Sequence, residues 1–291
     1  MAADGWQCAA LDGLSLRLRI LASIFAACLW AGHAPAQDEV PFITTPDRVT
    51  LAMLALAGVG PADHLIDLGS GDGRIVITAA RRFGASGLGA EIVPDLVLRS
   101  RAAAQAAGVA DRVRFLAQDL FQTDLSRASV VTMYLLPEVN LQLRPRLLDL
   151  KPGTRLISHD WDMGDWRPDS SQTLEVPEKT IGREKRSAVH RWVVPARVQG
   201  AWCGPGVRLD IGQRFQAFSA SFSAATGTAG ADLPPAPLLV IDGRIDGTRQ
   251  QATGLLAQAE AGALQMIALP GVAARWAGQR FLPARDGRCP A

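Results

Sequence analysis

The chain is poor in the residues that most often announce chemistry. It has one tyrosine and four cysteines in 291 residues. No C-x-x-C pair or Cys/His cluster occurs, so the ligand spacing of a zinc site is missing. Charged residues make up 20 % and the formal net charge is only +2. No Lys/Arg block stands out, so the electrostatic footprint of a nucleic-acid binder is absent. There is no Ser/His/Asp order and no nucleophile elbow to support hydrolysis. No repeat of useful period is visible. The apolar run Ile20 to Trp30 (ILASIFAACLW) is too short for a comfortable membrane span. What remains is an ordinary globular composition, 48 % hydrophobic.

Residues 1–36 are read as a signal peptide, or as an N-terminal anchor if uncleaved. Arg17 and Arg19 form a short basic region, Ile20 to Trp30 the apolar core, and Ala34-Pro35-Ala36 a small-x-small cleavage site before Gln37. Asp4 and Asp12 do not suit a basic n-region and point to a start downstream of Met1. A lipoprotein reading at Cys28 is opposed by the apolar run continuing past it. The expected location is periplasmic or exported, the alternative membrane-anchored. Cleavage removes Cys8 and Cys28. Cys203 and Cys289 then either pair, closing the C-terminal region on itself, or stay as free thiols.

From residue 37 to about 197, strands and helices alternate. Thr45 is expected to cap a helix with Pro46 at its first position and Val49, Met53, Leu54 and Leu56 as its apolar face, ending at Gly58. Strands are expected at 64–68, 86–92, 113–117, 129–135 and 154–158, with helices at 74–83, 94–107 and 138–148, the last bent near Pro145. Such alternation implies a mostly parallel sheet covered on both faces, with ligands beyond the carboxyl ends of its strands. Residues 198–291 read differently. Val207 to Phe222 alternates apolar with polar, Asp242-Gly243 is a hairpin signal, and 227–237 is a Gly/Ala/Pro loop. A small, mostly antiparallel β domain is expected there, or an extension of the first sheet.

The stretch LIDLGSGDGRIVI, Leu65 to Ile77, places glycines at 69, 71 and 73 between a strand and a helix. Glycines there let the backbone turn sharply and approach a ligand, while the helix start presents free N–H groups. The third glycine comes one residue too early for the dinucleotide fingerprint, and Arg74 stands where its last glycine would be. That opposes a nicotinamide oxidoreductase. Glu91 ends the second strand, where a carboxylate can accept both ribose hydroxyls. Asp119 follows the third strand, where it can accept from an adenine amine. Asp67 can hold the loop or meet an ammonium. Together these suit an adenosine ligand with an amino-acid tail.

On these residues, Asp67 to Gly73, Glu91 and Gln118-Asp119, the chain resembles the class I S-adenosylmethionine-dependent methyltransferases over about 41–195. The resemblance implies a Rossmann-like sheet and S-adenosyl-L-methionine as cofactor, held by Asp67, Gly69, Ser70, Gly71, Gly73, Glu91, Asp119 and Leu120. VPFITTPDRV, YLLPEVNLQLRP and SHDWDMGDW look like the group containing the lysine methyltransferases of mitochondrial ATP synthase subunit c and the adenine nucleotide translocase. That narrower resemblance implies a protein lysine as methyl acceptor.

Lysine methylation needs a neutral amine and an aromatic wall for the developing cation. Tyr134, ending the fourth strand, and Pro137 are expected to line the acceptor, with His159 relaying a proton or orienting the acceptor and Asp160 as its partner. Trp161 and Trp166 either wall the pocket or pack the core. Asn140 either bonds the acceptor or sits on a solvated helix face. A small-molecule or lipid methyltransferase and a non-catalytic nucleoside-binding scaffold are the competing readings.

Overall fold

The computed structural model describes residues 43–180, 184–224, 239–252 and 255–289. The expected signal peptide and its cleavage site, with Cys8 and Cys28, and the expected loop 227–237 lie outside the described residues.

The first helix, α1 (Asp47–Ala57), starts one residue later than expected. Pro46 is its N-cap and no side chain caps it, because the Thr45 hydroxyl lies instead 3.4 Å from the His159 ring. Its C-cap is Gly58, left-handed as its place after Ala57 demands. There follow β1 (His64–Leu68), α2 (Arg74–Phe83), β2 (Ser86–Glu91), α3 (Pro94–Ala106), β3 (Val113–Ala117), β4 (Val130–Met133), α4 (Pro137–Leu148) and β5 (Arg155–His159). Helix α4 continues through Pro145.

Two further strands, β6 (Ser170–Glu175) and β7 (Arg186–Val193), complete a seven-stranded sheet in the order β3-β2-β1-β4-β5-β7-β6. Strands β1 to β5 are parallel, and β7 is antiparallel to both its neighbours. The pleat sorts the core. Leu65 faces Val49, Met53, Leu54 and Val76 on one side of the sheet, while Ile66 and Leu68 face Leu143, Leu147 and Trp166 on the other. The carboxyl ends of β1, β2, β4 and β5 thus open on one edge, with Gly69, Glu91, Tyr134 and His159 along it.

The C-terminal strands are β8 (Gly200–Gly204), β9 (Val207–Arg214), β10 (Ala217–Ala224), β11 (Leu239–Asp246), β12 (Arg249–Ala252), β13 (Leu255–Glu260), β14 (Ala263–Ala268) and β15 (Arg280–Pro283). They form a closed antiparallel barrel, not an extension of the first sheet. Alternate residues such as Leu209, Phe218, Phe222, Met266 and Phe281 fill its interior. Asp242-Gly243 is not a hairpin turn. It lies inside β11, and the turn falls at Gly247, with φ 57°. Gly243 serves close packing: a Cβ there would meet Gln251 O and the Phe218 ring at 2.5 Å. Cys203 and Cys289 form a disulfide across the seam where β15 closes on β8.

The barrel docks through its β9–β10 turn. Phe215 stacks on Trp166 at 5.8 Å, and the Gln216 side-chain Oε1 accepts from Trp166 Nε1 at 2.9 Å. Ala196 N donates to Gly247 O, and Asp169 pairs with Arg244. Gly153 packs against Gly247 and precedes β5, and Asp169 precedes β6. The barrel therefore meets the edge of the sheet opposite the glycine loop.

Candidate active site

The glycine loop is tied to β2 from both sides. Gly69 N and Ser70 N both donate to Ala90 O at 2.9 Å. Gly71 N donates to Glu91 Oε2 at 2.9 Å, and Val93 N to Glu91 Oε1 at 3.0 Å. One carboxylate so fixes the loop tip while each oxygen keeps a further lone pair. Gly69, Gly71 and Gly73 have φ of 74°, 53° and 78°, which L side chains rarely adopt. A Cβ on Gly73 would also strike the Phe115 ring at 2.6 Å. Ser100 Oγ donates to Gly71 O, and Ser70 Oγ is buried without a partner.

Asp67 is buried beneath this loop, with Thr132 Oγ1 donating to it at 2.7 Å. Burial, aided by the charges of Asp72 and Glu91 and opposed by the Thr132 bond, pushes its carboxyl up to about 7. Asp119 accepts from Phe121 N at 2.8 Å and starts the short 3-10 turn Leu120–Gln122. Leu120 is partly buried in the core under that turn. Sequence reasoning passed over Ile92 and Phe121, exposed apolar residues directly following Glu91 and next but one to Asp119. It also gave Arg74 no role. That guanidinium grips Asp72 at 2.6 Å and donates to Thr45 O at 3.0 Å, joining the loop to the segment before α1.

A cavity of about 320 Å³ adjoins the loop through Arg74 and is lined also by Thr44, Asp47, Tyr134, His159 and Lys179. The Tyr134 and His159 ring centroids are 3.9 Å apart. His159 is 1 % exposed, with Nδ1 3.4 Å from Thr45 Oγ1 and Nε2 3.0 Å from Ser187 Oγ. Burial pushes its imidazole down to about 4, so the ring is neutral near pH 7. Asp160 Oδ2 is 3.5 Å from His159 Nε2 but only 2.8 Å from Lys179 Nζ, which is its closer partner. Burial and the Asp160 charge raise the Tyr134 hydroxyl above its ordinary value and keep it protonated.

Pro137 is the first residue of α4 and is not among the residues lining this cavity. Asn140 is fully buried, not on a solvated face, and donates toward Ser158 Oγ and the Trp161 and Asp162 carbonyls. It braces the loop after β5. Trp161 is 44 % exposed, whereas Trp166 is core at the barrel contact.

A family model described as the ANTKMT methyltransferase domain matches residues 67–170. A protein-lysine N-methyltransferase of Saccharolobus islandicus is 42 % identical over 132 residues, which are 45 % of this chain and 82 % of that protein. The chain belongs to this family of S-adenosylmethionine-dependent methyltransferases. The adenine nucleotide translocase lysine N-methyltransferase of mouse is 32 % identical over 165 residues, 56 % of this chain and 69 % of that one. A solved structure of an RNA methyltransferase from Salinibacter ruber with S-adenosyl-L-homocysteine is 52 % identical, covers 54 % of this chain and 96 % of that one, and has a TM-score of 0.49. The family match ends at 170, before the barrel begins.

The residues of this methyltransferase fit its cofactor. Asp67 is a buried carboxyl with one hydrogen-bond donor, Thr132, and a cation such as the methionine ammonium would favour its ionised form. Glu91 has lone pairs left for ribose hydroxyls, and the glycines leave the backbone bare. When bound, S-adenosylmethionine supplies an electrophilic methyl on a sulfonium; the protein aligns the acceptor with it. Among the described residues, no group of three or more His, Cys, Asp or Glu could hold a metal ion.

Proposed function

We propose that this methyltransferase acts on the ε-amino group of a protein lysine. The observation that carries the reading is the cavity wall. Tyr134 lies against a neutral, buried imidazole, and the Asp47 and Glu178 carboxylates line the same space. An aromatic face beside carboxylates suits an amine that must arrive as a cation and leave as a methylated one. His159, neutral and held between two hydroxyl groups, positions the Tyr134 ring. It does not serve as a charged relay. The names of the archaeal and mouse relatives, both lysine methyltransferases, support the same acceptor.

The test is to incubate the protein with methyl-tritiated S-adenosylmethionine and an extract of its source, then hydrolyse the product. Label recovered as methyl-lysine supports the reading. Label that is ribonuclease-sensitive, or soluble in organic solvent, overturns it in favour of an RNA, small-molecule or lipid acceptor.

We propose further that the protein works in an oxidising compartment. The Cys203–Cys289 disulfide supports this, because such bonds persist mainly outside the cytosol. N-terminal sequencing of the mature protein checks the route. A start at Gln37 supports cleavage after Ala36, and an intact leader means anchoring or retention.

A further inference from the structure

We infer that Lys179 is an internal occupant of the acceptor-lysine subsite, and that a substrate lysine enters by displacing it. The inference rests on the lysine reading above and names the subsite. It starts from a fact the reaction does not explain: the cavity already holds a lysine of this chain. Lys179 lines it beside Tyr134 and His159. Its ammonium donates to Asp160 Oδ2 at 2.8 Å and to Arg186 O at 2.6 Å. The side chains of the pair are only 15 % and 16 % exposed. Lys179 lines the cavity and Asp160, to which its ammonium is bonded, does not.

The receptor for this ammonium is built with some strain. Asp160 has φ 62°, a left-handed conformation that non-glycine residues rarely adopt. It is held there by Asp160 N donating to Ala188 O at 2.7 Å and Ala188 N donating to Asp160 Oδ1 at 3.0 Å. Those bonds occupy the main chain and one carboxylate oxygen and turn the other, Oδ2, to the ammonium. Arg186 O, where β7 begins, supplies the second acceptor. Asp160 lies close enough to Tyr134 for its charge to act on the phenol. Carboxylate and carbonyl hold an ammonium here, at the side of the cavity that Tyr134 also lines, so an arriving lysine can dock as a cation before it gives up its proton.

Lys179 itself sits on a turn. Its N–H donates to Val176 O at 3.0 Å, and Lys185 Nζ donates to its carbonyl. Its long side chain can swing to water while the backbone stays in place. An incoming lysine then remakes the bonds Lys179 gives up, so the exchange is close to neutral, and occupancy by Lys179 weakens apparent acceptor binding by the reciprocal of the fraction of time the site is free.

The experiment uses the full chain as wild type, Lys179→Met and Lys179→Arg, with tritiated S-adenosylmethionine and poly-L-lysine as acceptor. S-adenosylhomocysteine titration controls for folding and cofactor binding. The expected result is a KM for poly-L-lysine about 3- to 10-fold lower in Lys179→Met, near wild type in Lys179→Arg, and the same S-adenosylhomocysteine affinity in all three. An unchanged or raised KM in Lys179→Met overturns the inference and makes Lys179 a pin between the β6–β7 connection and β5, while lysine methylation stands. No transfer to poly-L-lysine by any of the three, with cofactor binding intact, overturns the lysine reading and this inference with it.

Discussion

Asp67 makes the cofactor site testable without any acceptor. In Asp67→Asn the Thr132 hydroxyl still has an oxygen to donate to, at the place where it now donates at 2.7 Å, so the fold keeps its bond and loses only an ionisable group. The wild-type carboxyl is pushed from 3.8 up to about 7, first by burial and then by Asp72 and Glu91. The sign follows from linkage. The folded state holds this proton more tightly than the unfolded chain, so the stability linked to it is full at low pH and is lost as pH rises from about 4 to about 7. At about 1.4 kcal/mol per pH unit, the two units between pH 5 and 7 amount to about 3 kcal/mol. Urea denaturation of both proteins at pH 5 and pH 8, without ligand and without reductant, measures it. Wild type minus variant should fall by about 3 kcal/mol between the two values, the other titrating groups cancelling in the difference. S-adenosylhomocysteine should bind wild type much more tightly than the variant at pH 8, because its ammonium meets the ionised carboxylate. A difference that stays flat within about 0.5 kcal/mol refutes the reasoning, since Asp67 would then ionise as an ordinary, hydrated carboxyl.

Three more outcomes are expected. Glu91→Gln sets an amide N–H₂ against a backbone N–H of the loop and removes the charge offered to the ribose; S-adenosylhomocysteine affinity should fall roughly 10- to 100-fold by calorimetry. An unchanged Kd with a lowered Tm would make Glu91 a loop brace alone. Tyr134→Ala should leave S-adenosylhomocysteine affinity within about 2-fold and lower kcat by at least about 10-fold, and loss of cofactor binding instead would place Tyr134 in the cofactor site. Reducing the Cys203–Cys289 bond, which spans 86 residues, should cost about 4.6 kcal/mol in the chain-entropy treatment and lower Tm by roughly 10 °C while cofactor binding persists. A Tm that does not respond to reductant argues that the barrel seam closes as well without it.

The glycine loop and its place between strand and helix were legible because they are local. A strand, three glycines and a helix start are consecutive in sequence, Glu91 ends a strand, and Asp119 lies two residues beyond one whose apolar run can be read directly. The strands that escaped were β6 and β7. Ser170–Glu175 reads SSQTLE and is mostly exposed at the sheet edge, so it has no apolar run to betray it. Arg186–Val193 mixes charged and apolar residues and becomes a strand by pairing with β5. The two Asp-Gly pairs of β11 show the same limit. Both satisfy the turn rule, and only strand register selects Gly247 over Gly243.

The cavity wall depends on contacts that no local pattern encodes. Thr45 meets His159 across 114 positions, Ser187 meets it across 28, and Lys179 meets Asp160 across 19. Asp160 next to His159 invites a catalytic pairing on paper. In the fold, the left-handed turn at Asp160 directs its carboxylate to Lys179 and the Ala188 N–H, and the imidazole is left to hydroxyl partners. Pushed down to about 4 by burial, the ring is a weak base at pH 7, and it packs at a tilt against Tyr134. The Tyr134–His159 contact and the Lys179–Asp160 pair are therefore properties of the packed chain, and it is at Lys179 that the proposed lysine chemistry can be tested before the acceptor itself is known.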